Sequence, residues 1–114
     1  MERELQVAVE AAKLAAATIK QIQDSESWTA QQKEDGKGPL TEADLAANDI
    51  LIKHISNAFP NDAILSEETA DSPSRLTNPR CWIIDPLDGT REFTLGIPEF
   101  CVSVGFVHNG EAVV

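Results

Sequence analysis

Residues 82–93 read Trp82-Ile83-Ile84-Asp85-Pro86-Leu87-Asp88-Gly89-Thr90-Arg91-Glu92-Phe93, and this stretch decides the fold that we predict. An apolar run carries two acids, Asp85 and Asp88, into a corner shaped by Pro86 and Gly89. The run is typical of a buried strand, and the proline removes a ladder donor, which favours a bend. The alternative is an Asp-Gly hairpin turn, but the residues that follow lack the alternation of a returning strand. We predict a strand over Cys81–Ile84 that ends in a bend at the two acids.

Two helices are predicted upstream of this strand. Apolar and small residues recur at three- and four-residue spacing between Glu2 and Asp24, which indicates an amphipathic helix. They are Leu5, Ala8, Ala12, Ala15, Ile19 and Ile22. Thr41 followed three residues later by Asp44 is a helix-capping pattern, and Pro60 ends this second helix. Its predicted buried residues are Ala47, Ile50, Leu51, Ile55, Ala58 and Phe59.

The segments around these helices are predicted as loops and strands. Ser25–Leu40 is polar and aperiodic, so we expect an exposed loop in which Lys33 and Lys37 are solvated. Ala63–Ser66 is a short strand that ends in two acids, and Phe100–Val107 is a longer one followed by the Asn-Gly signal of a hairpin. The order of elements predicts an α+β fold, with two helices packed on one face of a largely antiparallel sheet.

Composition restricts the partners and the cellular compartment. The 114 residues suit one modest domain, and the formal net charge of −10 disfavours nucleic acid polymers and anionic membranes. No apolar run reaches the roughly 20 residues of a membrane span, and the N-terminus has no signal-peptide pattern, so we predict a cytoplasmic protein. Cys81 and Cys101 lack metal-ligand spacing, and we expect both to be small buried side chains.

The two acids of the opening stretch suit a metal site. Asp85 and Asp88 flank the predicted bend and can converge on one cation. Mg²⁺ prefers oxygen ligands and is usually held by a few carboxylates together with water and substrate phosphate. Two such ions would support an in-line phosphoryl displacement. Gly89 and Thr90 then turn into a short helix, whose amides would bind phosphate.

Three motifs resemble one family. Asp85–Thr90 resembles the signature of the inositol monophosphatase superfamily, which comprises magnesium-dependent, lithium-sensitive phosphomonoesterases. Leu65–Glu68 and Lys37–Asp44 resemble two further motifs of this family, in the same order along the chain. The resemblance covers nearly the whole chain and implies the N-terminal part of the family's layered α/β sugar-phosphatase fold. Residues 1–114 would then be the truncated N-terminal portion of a phosphomonoesterase domain.

The resemblance also implies the metal ligands. Glu67, Asp85 and the backbone carbonyl of Leu87 would bind one Mg²⁺, and Asp85 would bridge to a second ion that Asp88 also binds. Glu67 would touch a third, weaker ion. These assignments come from the family's motifs.

The remaining implied roles concern water and phosphate. Thr90, paired with Asp44, would orient and deprotonate the attacking water, while the amides of Gly89 and Thr90 hold the phosphate. An acid near the start of a helix is rigidly placed, so Asp44 can serve both the helix cap and this role.

Two departures from the family's usual pattern bear on function. Arg91–Phe93 and Ser66 are more like the 3'(2'),5'-bisphosphate nucleotidase branch, which removes the 3'-phosphate of adenosine 3',5'-bisphosphate. A phosphatase of inositol or another sugar monophosphate is the alternative. Family members are longer, and their second half supplies another metal-binding Asp. If residues 1–114 are the whole protein, we therefore expect an incomplete second metal site, weak or absent activity and an exposed sheet edge. A third reading is a metal-binding or dimerising fragment that forms homodimers through this edge.

Overall fold

The computed structural model describes residues 1–32, 39–69, 73–97 and 99–114. The described residues form three α-helices, which are α1 (Glu2–Ser25), α2 (Glu42–Ala58) and α3 (Thr90–Thr94). The strands are β1 (Ala30–Gln32), β2 (Pro39–Thr41), β3 (Ala63–Ser66), β4 (Arg80–Asp88), β5 (Cys101–His108) and β6 (Glu111–Ala112). A short 3-10 helix covers Pro73–Leu76. In these ranges no helix is both long and apolar enough to cross a bilayer.

The main sheet has the strand order β3-β4-β5-β6. The β4–β5 and β5–β6 pairs are antiparallel, which confirms the predicted α+β fold with a largely antiparallel sheet. The β3–β4 pair is parallel, with Ser66 opposite Ile84. Because both strands run in the same direction, Glu67 and Asp85 each come directly after this last parallel pair. The predicted Asn-Gly hairpin is confirmed between β5 and β6, where Asn109 and Gly110 both have positive φ.

A second, two-stranded sheet corrects the loop predicted over Ser25–Leu40. β1 and β2 pair antiparallel, with Ala30 opposite Thr41. Each of these strands is only three residues long, so the sequence carried no apolar alternation that could have indicated the ladder. The predicted exposure of Lys33 and Lys37 lies outside the described residues.

Both predicted long helices form, and they pack on the face of the sheet that carries Trp82 and Phe106. The predicted α1 stripe was partly wrong, because the Leu5 side chain is 53% exposed. The buried apolar residues of α1 are Val7, Ala8, Ala11, Ala15 and Ile19. Apolar residues cover more of this helix than its neighbours bury, so spacing alone fits two adjacent stripes.

The predicted bend at Asp85 was wrong, because β4 continues to Asp88. Asp85 pairs with Ser103 and Asp88 with Cys101, so three steps along β4 match two steps along β5. This β-bulge includes Pro86, whose missing N–H costs little where the ladder is already interrupted. The chain turns at Gly89 instead.

Arg80 joins α1 and the turn before β3 to the sheet. Its Nε lies 2.7 Å from Asp62 Oδ1 and its Nη2 lies 3.0 Å from Glu4 Oε2. Its guanidinium also lies over the Phe106 ring, 4.7 Å from the centroid, and Trp82 Nε1 donates to Asp62 Oδ2 at 2.9 Å. The hydrogen bond from Arg80 lowers the pKa of Glu4, while the hydrogen bond to Asp62 raises that of Arg80.

We expect Arg80→Met to lower the free energy of unfolding by about 2–4 kcal/mol at neutral pH. The Asp62 side chain is 6% exposed and loses its cation, while methionine keeps most of the apolar contact. Urea unfolding followed by circular dichroism measures this difference.

The matched control is Lys53→Met, because Lys53 pairs with Asp49 in an exposed ion pair and its loss should cost less than about 1 kcal/mol. Since the folded pKa of Glu4 is depressed, its contribution is present above its ordinary pKa and is lost as the pH falls through the folded value. The gap between wild type and Arg80→Met should therefore narrow on acidification. Equal stability of the two methionine variants would contradict this role of Arg80.

Candidate active site

The residues predicted for the site lie at the ends of β3 and β4 and at the starts of α2 and α3. Glu67 follows β3, while Asp85, Leu87 and Asp88 belong to the last part of β4. Asp44 lies in the first turn of α2, and Thr90 is the first residue of α3. Two of these side chains, Asp44 and Thr90, are in direct contact, 46 residues apart in sequence.

The Asp44 carboxylate is fully buried and accepts three hydrogen bonds. Its Oδ2 accepts from the Thr41 backbone N–H at 2.9 Å and from Thr41 Oγ1 at 2.7 Å. Its Oδ1 accepts from Thr90 Oγ1 at 2.9 Å. The predicted capping box is confirmed, because the Thr41 hydroxyl also accepts from the Ala43 N–H. These donors, with the positive end of the helix dipole, offset the cost of burying the charge.

The Thr90 hydroxyl has two acceptors and one proton. Its Oγ1 lies 2.9 Å from Asp44 Oδ1 and 3.1 Å from the backbone oxygen of Leu87. An ionised carboxylate is the stronger acceptor, so the proton is directed mainly at Asp44. The hydroxyl group is thereby held in one orientation, and the lone pairs of its oxygen can accept a hydrogen bond from a third group.

The predicted metal ligands differ in exposure. Glu67 and Asp88 are exposed, Asp85 is half-buried and Leu87 is buried. Among the residues that the structure describes, no three His, Cys, Asp or Glu side chains are grouped closely enough to hold an ion. The donors nevertheless fit a hard cation by type, because all are carboxylate or carbonyl oxygens. Glu67, just beyond β3, and Asp85, on β4, each follow the last parallel pair, Ser66 and Ile84. The set therefore fits Mg²⁺ by chemistry and backbone placement rather than as a ready-made cluster.

Gly89 fixes the turn between β4 and α3. Its φ is +95°, and a Cβ there would lie 2.8 Å from the backbone oxygen of Glu99 and 3.1 Å from Phe100 Cα. Any other residue would be strained in this conformation and would also collide with the backbone. The predicted turn into a short helix is confirmed, with Gly89 as the N-cap.

An acidic cavity of about 400 Å³ opens beside this turn. Its lining residues are Asp88, Gly89, Glu92, Glu99, Phe100 and Cys101. The prediction that Cys101 is buried was wrong, since Cys101 is exposed and its Sγ lies 3.9 Å from Asp88 Oδ2. Strand alternation was the available signal, because Phe106, Val104 and Val102 share one face of β5 and Cys101 falls on the other.

Sequence reasoning also missed a set of polar residues beside Glu67. Asn48, on α2, hydrogen bonds to Ser66 and Thr69, the residues that flank the acidic pair Glu67-Glu68. The sequence feature that could have identified Asn48 was its four-residue spacing from Asp44, which places both side chains on the same face of the helix.

Comparisons with known proteins show the family to which the chain belongs. A sequence model described as the inositol monophosphatase family matches residues 1–114. Inositol monophosphatase 3 of Solanum lycopersicum is 39% identical over 110 residues, which are 92% of this chain and 39% of that protein. The 3'-phosphoadenosine 5'-phosphate phosphatase of Mycobacterium bovis is 53% identical over 51 residues, which are 45% of this chain and 19% of that protein.

A solved structure extends the agreement to the fold. The crystal structure of extragenic suppressor protein suhB from Bartonella henselae matches with a TM-score of 0.87 at 28% identity, covering 97% of this chain and 43% of that one. The chain thus spans about two fifths of the length of these two longer matches, the tomato protein and suhB. Together with the match over residues 1–114, this identifies the chain as a member of the inositol monophosphatase family.

Proposed function

We propose that this chain is the N-terminal portion of a magnesium-dependent phosphomonoesterase domain that hydrolyses small phosphorylated substrates. The observation that carries the proposal is the buried hydrogen bond between Thr90 and Asp44, 2.9 Å long, at the end of an acidic strand. A hydroxyl oriented by a buried carboxylate can accept a proton from water while it passes its own proton on. That is the step a phosphomonoesterase needs when water is its nucleophile.

Four groups of this chain would hold Mg²⁺. They are the carboxylates of Glu67, Asp85 and Asp88 and the backbone carbonyl of Leu87, with Asp85 shared between two ions and Glu67 also reaching a third, weaker one. When bound, Mg²⁺ would lower the pKa of a water molecule and offset charge on the phosphate. Thr90 would orient that water, and Asp44 would accept the proton that leaves the Thr90 hydroxyl.

The charge of the acidic cavity favours a reaction that depends on a cation. Three carboxylates, from Asp88, Glu92 and Glu99, line it together with the Gly89 turn. A phosphate entering alone would be repelled by these charges, so the cavity suits a phosphate only in company with divalent cations. The amides of Gly89 and Thr90 would then hold the phosphate from the backbone side.

Two substrate classes are proposed, in order. Adenosine 3',5'-bisphosphate comes first, because Arg91–Phe93 and Ser66 favour the nucleotidase branch. A relative named 3'-phosphoadenosine 5'-phosphate phosphatase, after the same compound, also shares 53% identity over 51 residues. Inositol or another sugar monophosphate is the second candidate, since an inositol monophosphatase is 39% identical over 110 residues. The same proposal includes lithium inhibition, a cytoplasmic location and the association of two copies along the sheet edge.

Phosphate release should separate these alternatives. The protein is incubated with adenosine 3',5'-bisphosphate or inositol 1-phosphate, with and without Mg²⁺ and with added Li⁺. We expect Mg²⁺-dependent, Li⁺-inhibited release that is faster from the bisphosphate. Faster release from inositol 1-phosphate would favour the second candidate. Mg²⁺ binding without release from either substrate would support the metal-binding fragment, and neither binding nor release would contradict the proposed function altogether.

A further inference from the structure

A buried amide connects the first helix turn of the site to its acidic turn. Asn48 lies one turn after Asp44 on α2 and is 9% exposed. Its Nδ2 donates to Thr69 Oγ1 at 2.9 Å, and its Oδ1 accepts from Ser66 Oγ at 2.5 Å. One planar group therefore holds both ends of the four-residue segment from Ser66 to Thr69.

The held segment carries the acids. The Glu68 N–H donates to Ser66 Oγ at 3.3 Å, and the Thr69 N–H donates to the Ser66 backbone oxygen at 3.3 Å. These bonds close a tight turn over Glu67 and Glu68, directly beyond the last parallel pair of β3 and β4. The Ser66 hydroxyl thus donates to Asn48 and accepts from the turn, so Asn48 links the turn to α2.

We infer that Asn48 is a positioning residue for the metal site, an inference that rests on the proposed function. The same helix face holds Asp44 against Thr90 and Asn48 against the acidic turn. A shift of the turn would move Glu67 relative to Asp85, and the Asn48 bonds oppose such a shift because they fix both ends of the turn to α2. Loss of a hydrogen-bond partner that orients a metal ligand typically lowers metal affinity by about 10- to 100-fold.

The first test is the Kd for Mg²⁺ by isothermal titration calorimetry. We expect Asn48→Leu, which keeps the shape and removes both bonds, to weaken binding by about 10- to 100-fold. Thr69→Val removes one bond at an exposed position, so it leaves the core untouched and should weaken binding in the same direction. Thr69→Ser retains the hydroxyl and should keep wild-type affinity. Equal affinity in Thr69→Val and Thr69→Ser would overturn the inference even if Asn48→Leu failed to fold.

A control separates positioning from general loss of stability. Gln23 is equally buried, and its Nε2 donates to the backbone oxygens of Phe93 and Ile97, away from the acidic turn. Gln23→Leu should therefore lower stability as Asn48→Leu does but leave the Kd for Mg²⁺ unchanged. A parallel loss of affinity in both variants would show that Asn48 acts through stability alone.

Hydrogen exchange supplies a readout that needs no metal. In Mg²⁺-free buffer, the amides of Glu68 and Thr69 should exchange faster in Asn48→Leu than in wild type, and unchanged protection would overturn the inference. Asp85→Asn separates the positioning role of Asn48 from the proposed function. If it loses Mg²⁺ affinity and Asn48→Leu does not, the positioning role fails and the proposed function survives; if wild type binds no Mg²⁺, both fail.

Discussion

Asp44→Asn is expected to reduce kcat for phosphate release by about 10²- to 10⁴-fold while the Kd for Mg²⁺ stays close to that of wild type. The hydrogen bonds explain why a change of one atom has this effect. Oδ2 accepts from the Thr41 backbone N–H, which cannot reverse, so the amide oxygen of the variant must occupy that side. The new NH₂ then faces Thr90 and donates to its oxygen.

This inversion blocks proton transfer without breaking the fold. The Thr90 proton turns to the Leu87 backbone oxygen, which already lies 3.1 Å away, so every group keeps a partner. One lone pair of the Thr90 oxygen is then occupied by the hydrogen bond from the amide, and no base remains to receive the Thr90 proton. The loss of the buried charge at the helix N-terminus should change stability by only about 1 kcal/mol.

A double-mutant cycle tests whether the two residues act as one unit. Thr90→Val should lower kcat as much as Asp44→Asn does. The double variant should lower kcat no further than either single variant, because the effects of mutations within one relay are not additive. Thr90→Ser, which keeps the hydroxyl, should retain most of the activity. If the two reductions in kcat multiplied in the double variant, the relay would be contradicted. A large rise in the Kd for Mg²⁺ in Asp44→Asn would instead show that Asp44 is a metal ligand.

Asp85→Asn is expected to weaken Mg²⁺ binding by at least about 100-fold, which corresponds to roughly 2.8 kcal/mol. The substitution keeps the shape of a half-buried side chain on β4 and removes its charge. Mg²⁺ depends on anionic oxygens to compensate for the water that it loses, and an amide oxygen compensates poorly. Asp85 is proposed to serve two ions, so its loss should exceed that of Asp88→Asn. Calorimetric titration measures each Kd.

The electrostatic control for Asp85 is Glu99→Gln. Glu99 is exposed on the acidic cavity, and its neutralisation removes one negative charge without removing a proposed ligand. Exposed charges are screened, so this variant should change the Kd only slightly. If Asp85→Asn and Glu99→Gln weakened binding equally, Mg²⁺ would be attracted by the overall negative field rather than held by Asp85.

Sequence patterns predicted the parts of this fold that local chemistry determines. The capping box at Thr41 and Asp44 depends on side chains three residues apart, and the Ala63–Ser66 strand is a compact apolar run. The α1 boundaries followed from periodicity, but its buried stripe depended on how much of the helix α2 covers. That information is tertiary, which is why Leu5 was placed on the wrong side.

The features that sequence patterns missed depend on pairing between distant segments. A bulge against β5 permits β4 to extend through Pro86. The β1–β2 ladder pairs two segments of three residues, which are too short to show a side-chain pattern. For the candidate site, the family motifs named the acids, but the contact of Asn48 with Ser66 and Thr69 required knowing that β3 ends against α2. Hydrogen bonds across 18 and 21 residues leave no local periodicity.

The attachments of α1 have a consequence for how the chain acquires its structure. Near its start, Glu4 bonds to Arg80, 76 residues later, and near its end, Gln23 bonds to Phe93, 70 residues later. α1, which leaves the ribosome before β4 and α3, is therefore secured at both ends by strands and turns that are made much later. Contacts of such long sequence separation slow folding, because a large loop must close before they form. Until β4 and α3 are synthesised, the apolar face of α1 lacks these attachments, and the nascent chain is most open to aggregation during that interval.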